Sequence, residues 1–231
     1  INMAATAVAG EREDGTLDLI LTTPITPRMY MTGKLRGLVA YLLPLIAVPV
    51  FTIGIAGLYA LTGGLGQSAL ATINTSTVSG TAVTAPVVLP EAGLLAPLVL
   101  VPFIAFCVMI GLQWSLKSKG TLSAVIGTVA IVAIVSGILG LCGWASASDM
   151  PVVGPTLASL SPASLLDALV VPTQRLAETV DSSANGLQTA RIALAVGAIL
   201  SAGIYIGIVY AVISALVKNF DTTVRKLAGT S

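Results

Sequence analysis

Glu11, Arg12, Glu13 and Asp14 stand in a row between two apolar regions, and the type and spacing of these four side chains define what chemistry they can do. Carboxylates and a guanidinium packed this closely suit ion pairing, helix capping and electrostatic contact with a partner. They do not suit catalysis, because no group that could share the work is at hand. The chain has no histidine, no Gly-x-x-x-x-Gly-Lys-Ser/Thr phosphate loop, no Gly-x-Ser-x-Gly elbow and no paired carboxylates inside an apolar run. Serines are plentiful, but no lysine lies within an apolar run to activate one. Cys107 and Cys142 fall inside apolar runs and read as packing residues rather than as a disulfide or a metal site.

The polar row needs an element to hold it at water, since a charge at the centre of a bilayer costs at least ~2.5–3.5 kcal/mol. Asp14 or Thr16 can cap a helix start and Asp18 suits its first turn. Leu17, Ile20 and Leu21 share one face until Pro24 stops it. A short amphipathic helix, roughly Thr16 to Thr23, is therefore expected. A second helix start follows, with Thr26 as cap and Pro27 as first helical residue, and it carries Lys34 and Arg36 to the membrane edge.

Glu11-Arg12-Glu13, Gly15-Thr16-Leu17, the pair Ile20 and Leu21, Pro24 and then Gly33-Lys34 resemble the E-R-E-x-G-T-L … P … G-K stretch of permease subunits in type 2 ATP-binding cassette (ABC) transporters. The resemblance implies that segment 11–34 is cytoplasmic and couples to an ATPase subunit through Glu11, Arg12, Glu13, Gly15, Thr16, Leu17, Ile20, Leu21 and Pro24. It also implies export, a second permease half, and ATP and Mg bound on the partner ATPase, with no cofactor in this chain. An interfacial helix that only anchors the protein is the plainer reading of the same residues.

Composition sets the class. At 55% apolar and 9% charged residues, the chain is far from the soluble average of roughly a quarter charged, and it reads as an integral, multi-pass membrane protein. Its net charge of +1 and the lack of basic clusters interleaved with aromatics argue against nucleic acid as a partner. Ile1 to Gly10 is too short to span and reads as the cytoplasmic end of a truncated span. Uncharged runs predict spans over about 37–62, 92–116, 120–146 and 191–217, each long enough for the ~20 residues a hydrocarbon core requires. Pro44 and Pro49 predict a kink in the first of these. Ser115 to Gly120 is a tight turn between the second and third, flanked by Gln113 and Trp114 as interface anchors. Outer loops fall at 63–91 and 147–190. The first is Gly/Ser/Thr-rich with some extended structure; the second carries a short helix signalled by Ser161-Pro162 and Leu165, Leu166 and Leu169. That LSP-x-SLL pattern resembles the short re-entrant helices such permeases place outside before their last span. Gly203 and Gly207 have the spacing for close helix contact, and 218–231 is a basic cytoplasmic tail.

Charge sidedness gives the orientation independently. With segment 11–34 inside, nine of the eleven Lys/Arg (Arg12, Arg28, Lys34, Arg36, Lys117, Lys119, Lys218, Arg225, Lys226) are cytoplasmic and two (Arg175, Arg191) are outside. The fold expected is all-α, a polytopic bundle in the cell (cytoplasmic or inner) membrane, with a cytoplasmic coupling helix and a short outer re-entrant or interfacial helix. No span holds an ionisable residue at depth, which disfavours ion-coupled transport. The function expected is an ATP-driven permease subunit among membrane lipids. A channel or carrier without ATP, or a scaffold that moves nothing, is the alternative.

Overall fold

The computed structural model describes residues 2–15, 25–62, 73–78, 81–118, 120–150, 153–176 and 186–227. Long helices follow the uncharged runs, because a backbone in hydrocarbon must satisfy its own hydrogen bonds. Among the described residues four helices are long and apolar enough to cross a membrane: α2 (Pro27–Leu61), α3 (Ala92–Lys117), α4 (Thr121–Asp149) and α8 (Gly186–Leu227). Ahead of them stands α1 (Asn2–Glu13). Between α2 and α3 lies a hairpin of β1 (Ile73–Val78) and β2 (Thr81–Pro86), antiparallel with Ile73 opposite Pro86 and Val78 opposite Thr81. Among the described residues three short helices precede α8: α5 (Val153–Ala158), α6 (Pro162–Val170) and α7 (Pro172–Arg175). The fold is thus an all-α polytopic bundle, with a small hairpin where β-branched Thr, Val and Ile are dense.

The boundaries have local causes. Thr26 caps α2, its hydroxyl accepting from the Met29 amide at 3.3 Å, and Pro27 occupies the first helical position, where a missing N–H costs nothing. The helix then runs on through Pro44 and Pro49 as one element. Ser161 sits at the N-cap of α6 in extended conformation but its side chain makes no capping hydrogen bond, so Pro162 at the first position sets this start. The turn between α3 and α4 is short: Lys117 ends one and Thr121 begins the other.

Two compact units divide the chain, and each long span contributes to both. The first comprises Ile1–Pro44, Pro102–Val135 and Ile204–Ser231. Its core gathers Ala4 and Val8 of α1, Met31 of α2, Val108, Met109, Leu112 and Leu116 of α3, and Leu216 of α8. Small residues let these helices approach. A Cβ on Gly111 would lie 2.8 Å from the Ala4 Cβ and 3.1 Å from the Ala5 amide nitrogen, so α1 and α3 touch nearly backbone to backbone. Ala5 and Ala9 meet Ala124 of α4 in the same way. Trp114 lays its ring against Gly127 of α4, where a Cβ would come within 2.9 Å of ring carbon. Sequence alone casts this tryptophan as an interface anchor; it is also a packing residue. Phe103, Phe106 and Tyr205 form an aromatic cluster with centroid separations of 5.4–6.2 Å.

The second unit comprises Leu45–Val101 and Ser136–Gly203. Gly54 and Gly93 bring α2 and α3 into backbone contact, and the Leu89 amide donates to the Leu169 carbonyl at 3.0 Å. Glu91 holds Arg191 through two hydrogen bonds of 2.8 Å. Gly197, not Gly203 or Gly207, is the glycine of α8 against which another segment packs: a Cβ there would meet the Thr156 carbonyl oxygen at 2.7 Å, whereas nothing described lies within 4 Å of the other two. Large apolar side chains such as Leu45, Phe51, Ile55 and Leu141 are exposed, as lipid-facing residues are in a bundle whose solvent is hydrocarbon.

Candidate functional site

The polar row begins inside a helix. Glu11, Arg12 and Glu13 form the last turn of α1, which continues from Asn2 without interruption. Gly15 then takes φ 70°, a left-handed conformation that costs a residue with a Cβ about 1–2 kcal/mol, and the Asp14 amide donates to the Gly10 carbonyl at 2.9 Å. A glycine just past a helix end is the least costly stop, which gives the Gly of the motif a physical reason. Thr16, Leu17, Ile20, Leu21 and Pro24, and with them the expected amphipathic helix, lie outside the described residues.

Glu11 is the hub. One carboxylate oxygen accepts from Lys34 Nζ at 2.5 Å and the other from the Tyr30 hydroxyl at 2.6 Å. Lys34 Nζ also donates to the Ala7 carbonyl at 2.9 Å and lies 5.6 Å from the centre of the Tyr30 ring. The pair is about three-quarters shielded, with 23% of the lysine side chain and 25% of the glutamate side chain exposed, so its attraction is screened less than that of a surface pair. The E-R-E and G-K ends of the motif therefore meet in space.

Two further contacts fix α1. The buried Ser115 hydroxyl of α3 accepts from the amides of Val8 at 3.1 Å and Ala9 at 2.8 Å. Glu13 accepts from the Thr121 amide at 2.9 Å, placing a carboxylate on the open N-terminus of α4 where amides lack helical partners. The end of α1 is thus tied to α2 by Glu11, to α3 by Ser115 and to α4 by Glu13. Sequence alone singles out Glu11, Glu13 and the G-K pair, but not that Tyr30 meets Glu11, that Thr121 meets Glu13 or that Ser115 meets the Val8 and Ala9 amides. Only tertiary structure brings together residues 19, 106 and 108 positions apart.

Among the described residues no group of three His, Cys, Asp or Glu could hold a metal ion, and Cys107 and Cys142 form no disulfide. Four span-capable helices in an all-helical bundle, with a charged knot at one end of α1 and α2, define a multi-pass membrane protein. The chain belongs to a known family of that kind: residues 1–218 match the family described as ABC-2 family transporter protein, which makes it a membrane permease of ABC transporters. No curated protein matches the chain. No solved structure matches it.

Proposed function

We propose that this permease is the membrane-spanning subunit of an ATP-driven exporter and that segment 11–34 couples it to a separate ATPase subunit, where ATP and Mg bind. The observation that carries the reading is the Glu11–Lys34 pair. It clamps the last turn of α1 to the second turn of α2, and the chain joining those helices carries Thr16, Leu17, Ile20, Leu21 and Pro24. A push on that connection reaches a clamped base, so it is passed into α2 rather than lost in a loose hinge. In this reading Leu17, Ile20 and Leu21 bury against the ATPase. Glu11 and Glu13 act chiefly inside the permease, where their carboxylates are already engaged, and Arg12 adds polar register toward the partner. A second permease half completes the transporter.

The test is co-purification of the intact protein from its native membrane. A phosphate-loop ATPase should accompany the wild type and be lost on changing Leu17 and Leu21 to Asp, while membrane insertion is kept. Recovery of the ATPase at full strength from that variant would refute the docking assignment. Impermeant thiol labelling of single cysteines at Arg12 and Lys117 checks the orientation, which requires both positions to be unreachable from outside intact cells.

A further inference from the structure

A cleft of about 720 Å³, within the ~300–1,000 Å³ of ordinary ligand sites, opens on the first turns of α2, where the charged start of the helix gives way to its uncharged run. Met29, Thr32, Gly33 and Arg36 line it at positions i, i+3, i+4 and i+7, which share one helix face, and Leu35 and Val39 lead across to Ala105 of α3. Met29, Leu35, Val39 and Ala105 make the walls mostly apolar, and the polar groups on them are instructive. The Thr32 hydroxyl is occupied, donating to the Arg28 carbonyl at 2.7 Å. Lys34 is committed to Glu11 on the other side of the helix. Arg36 is exposed and forms no ion pair among the described residues. Gly33 leaves a slot beside it, since a Cβ there would meet nothing described within 4 Å.

We propose that this cleft binds an anionic phospholipid from the leaflet at the basic ends of the spans. The phosphate sits on the Arg36 guanidinium, whose planar fork matches phosphate oxygens, and an acyl chain lies in the slot over Gly33 toward Val39 and Ala105. Charge complementarity selects the occupant: an apolar groove alone accepts any lipid, whereas an uncommitted cation at its rim favours a headgroup with net negative charge. The position adds a consequence. The lipid wedges α2 against α3 one turn beyond the Lys34 pair, so it braces the end of the span that the charged knot holds. This inference rests on the membrane spans and the cleft, and not on the ATPase reading.

The test uses the full chain purified in detergent and equilibrated with equal amounts of phosphatidylglycerol and phosphatidylcholine, with retained lipid counted by native mass spectrometry. Wild type should retain phosphatidylglycerol at least five-fold over phosphatidylcholine. Arg36→Gln, at an exposed position, should erase that preference. Gly33→Leu places its Cβ where nothing described lies within 4 Å, extends its side chain into the cleft and raises helix propensity, so it should fold and lose both lipids at least five-fold. Equal retention of the two lipids by wild type, or unchanged retention in both variants, would overturn the proposal. So would a Gly33→Leu variant that shifts from dimer to monomer with its lipid count unchanged, because the slot would then be a contact between two copies of the chain.

Discussion

Glu11 and Lys34 lie 2.5 Å apart across 23 residues of sequence, and the pair joins the last turn of one helix to the second turn of the next. Because both side chains are largely shielded, removing one charge leaves the other without its partner in a poorly hydrated place, at a cost of about 1–3 kcal/mol. Lys34→Met and Glu11→Gln are each expected to lower the unfolding temperature in detergent by several degrees. If the pair also transmits motion, both lower ATPase stimulation and transport more than they lower recovery of the ATPase in co-purification. The reversed pair, Glu11→Lys with Lys34→Glu, should regain part of the lost stability. A double-mutant cycle with no coupling energy would show that the two charges act separately.

Glu91 and Arg191 provide the internal control. This pair has better geometry, with two bonds of 2.8 Å, yet the arginine side chain is 41% exposed, so solvent screens it more. Glu91→Gln keeps one acceptor and should cost less than about 1 kcal/mol. Thermal unfolding at low and high salt decides: the effect of Glu91→Gln should shrink with salt while that of Glu11→Gln persists.

Much of this molecule is legible in the sequence, for one reason. The cost of putting a charge into hydrocarbon is local, so uncharged runs mark α2, α3, α4 and α8 without knowledge of their neighbours. Thr26-Pro27 and Ser161-Pro162 likewise mark helix starts from adjacent residues alone, although at Ser161 the proline, not the serine side chain, does the work. What sequence does not reveal is which small residues face one another. Gly203 and Gly207 have the better-known spacing, but Gly111, Gly127 and Gly197 make the close contacts, because facing is a property of two helices and spacing of only one. The polar site divides along the same line. Its acidic residues and the G-K pair stand out as types, while Tyr30, Ser115 and Thr121 enter only through the fold.

Gly15 should resist replacement for a conformational reason and not a steric one. Its φ of 70° is left-handed, and a Cβ there would meet nothing described within 4 Å, so Gly15→Ala is expected to cost about 1 kcal/mol through backbone strain alone. Asparagine tolerates this region better, and Gly15→Asn should lose roughly half as much. Unfolding temperatures that fall equally for both variants would point to a different role for the glycine.

The contact of α1 with α3 offers a comparison between losing a hydrogen bond and losing space. Ser115→Ala removes an acceptor for the Val8 and Ala9 amides, but both amides sit inside α1 and keep their helical partners, so the change should cost only about 1 kcal/mol. Gly111→Val puts a branched side chain where even a Cβ would be 2.8 Å from Ala4 and 3.1 Å from the Ala5 nitrogen. One of those contacts is backbone and cannot rotate away. The helices must separate, at about 1–3 kcal/mol or more, and Glu11 moves with α1 away from Lys34. Gly111→Val is therefore expected to be the more destabilising of the two. It should also abolish the coupling energy between Glu11 and Lys34 in a double-mutant cycle, which Ser115→Ala should leave largely intact. Equal coupling energies in the two backgrounds would mean that α1 is held in place by the charged pair alone.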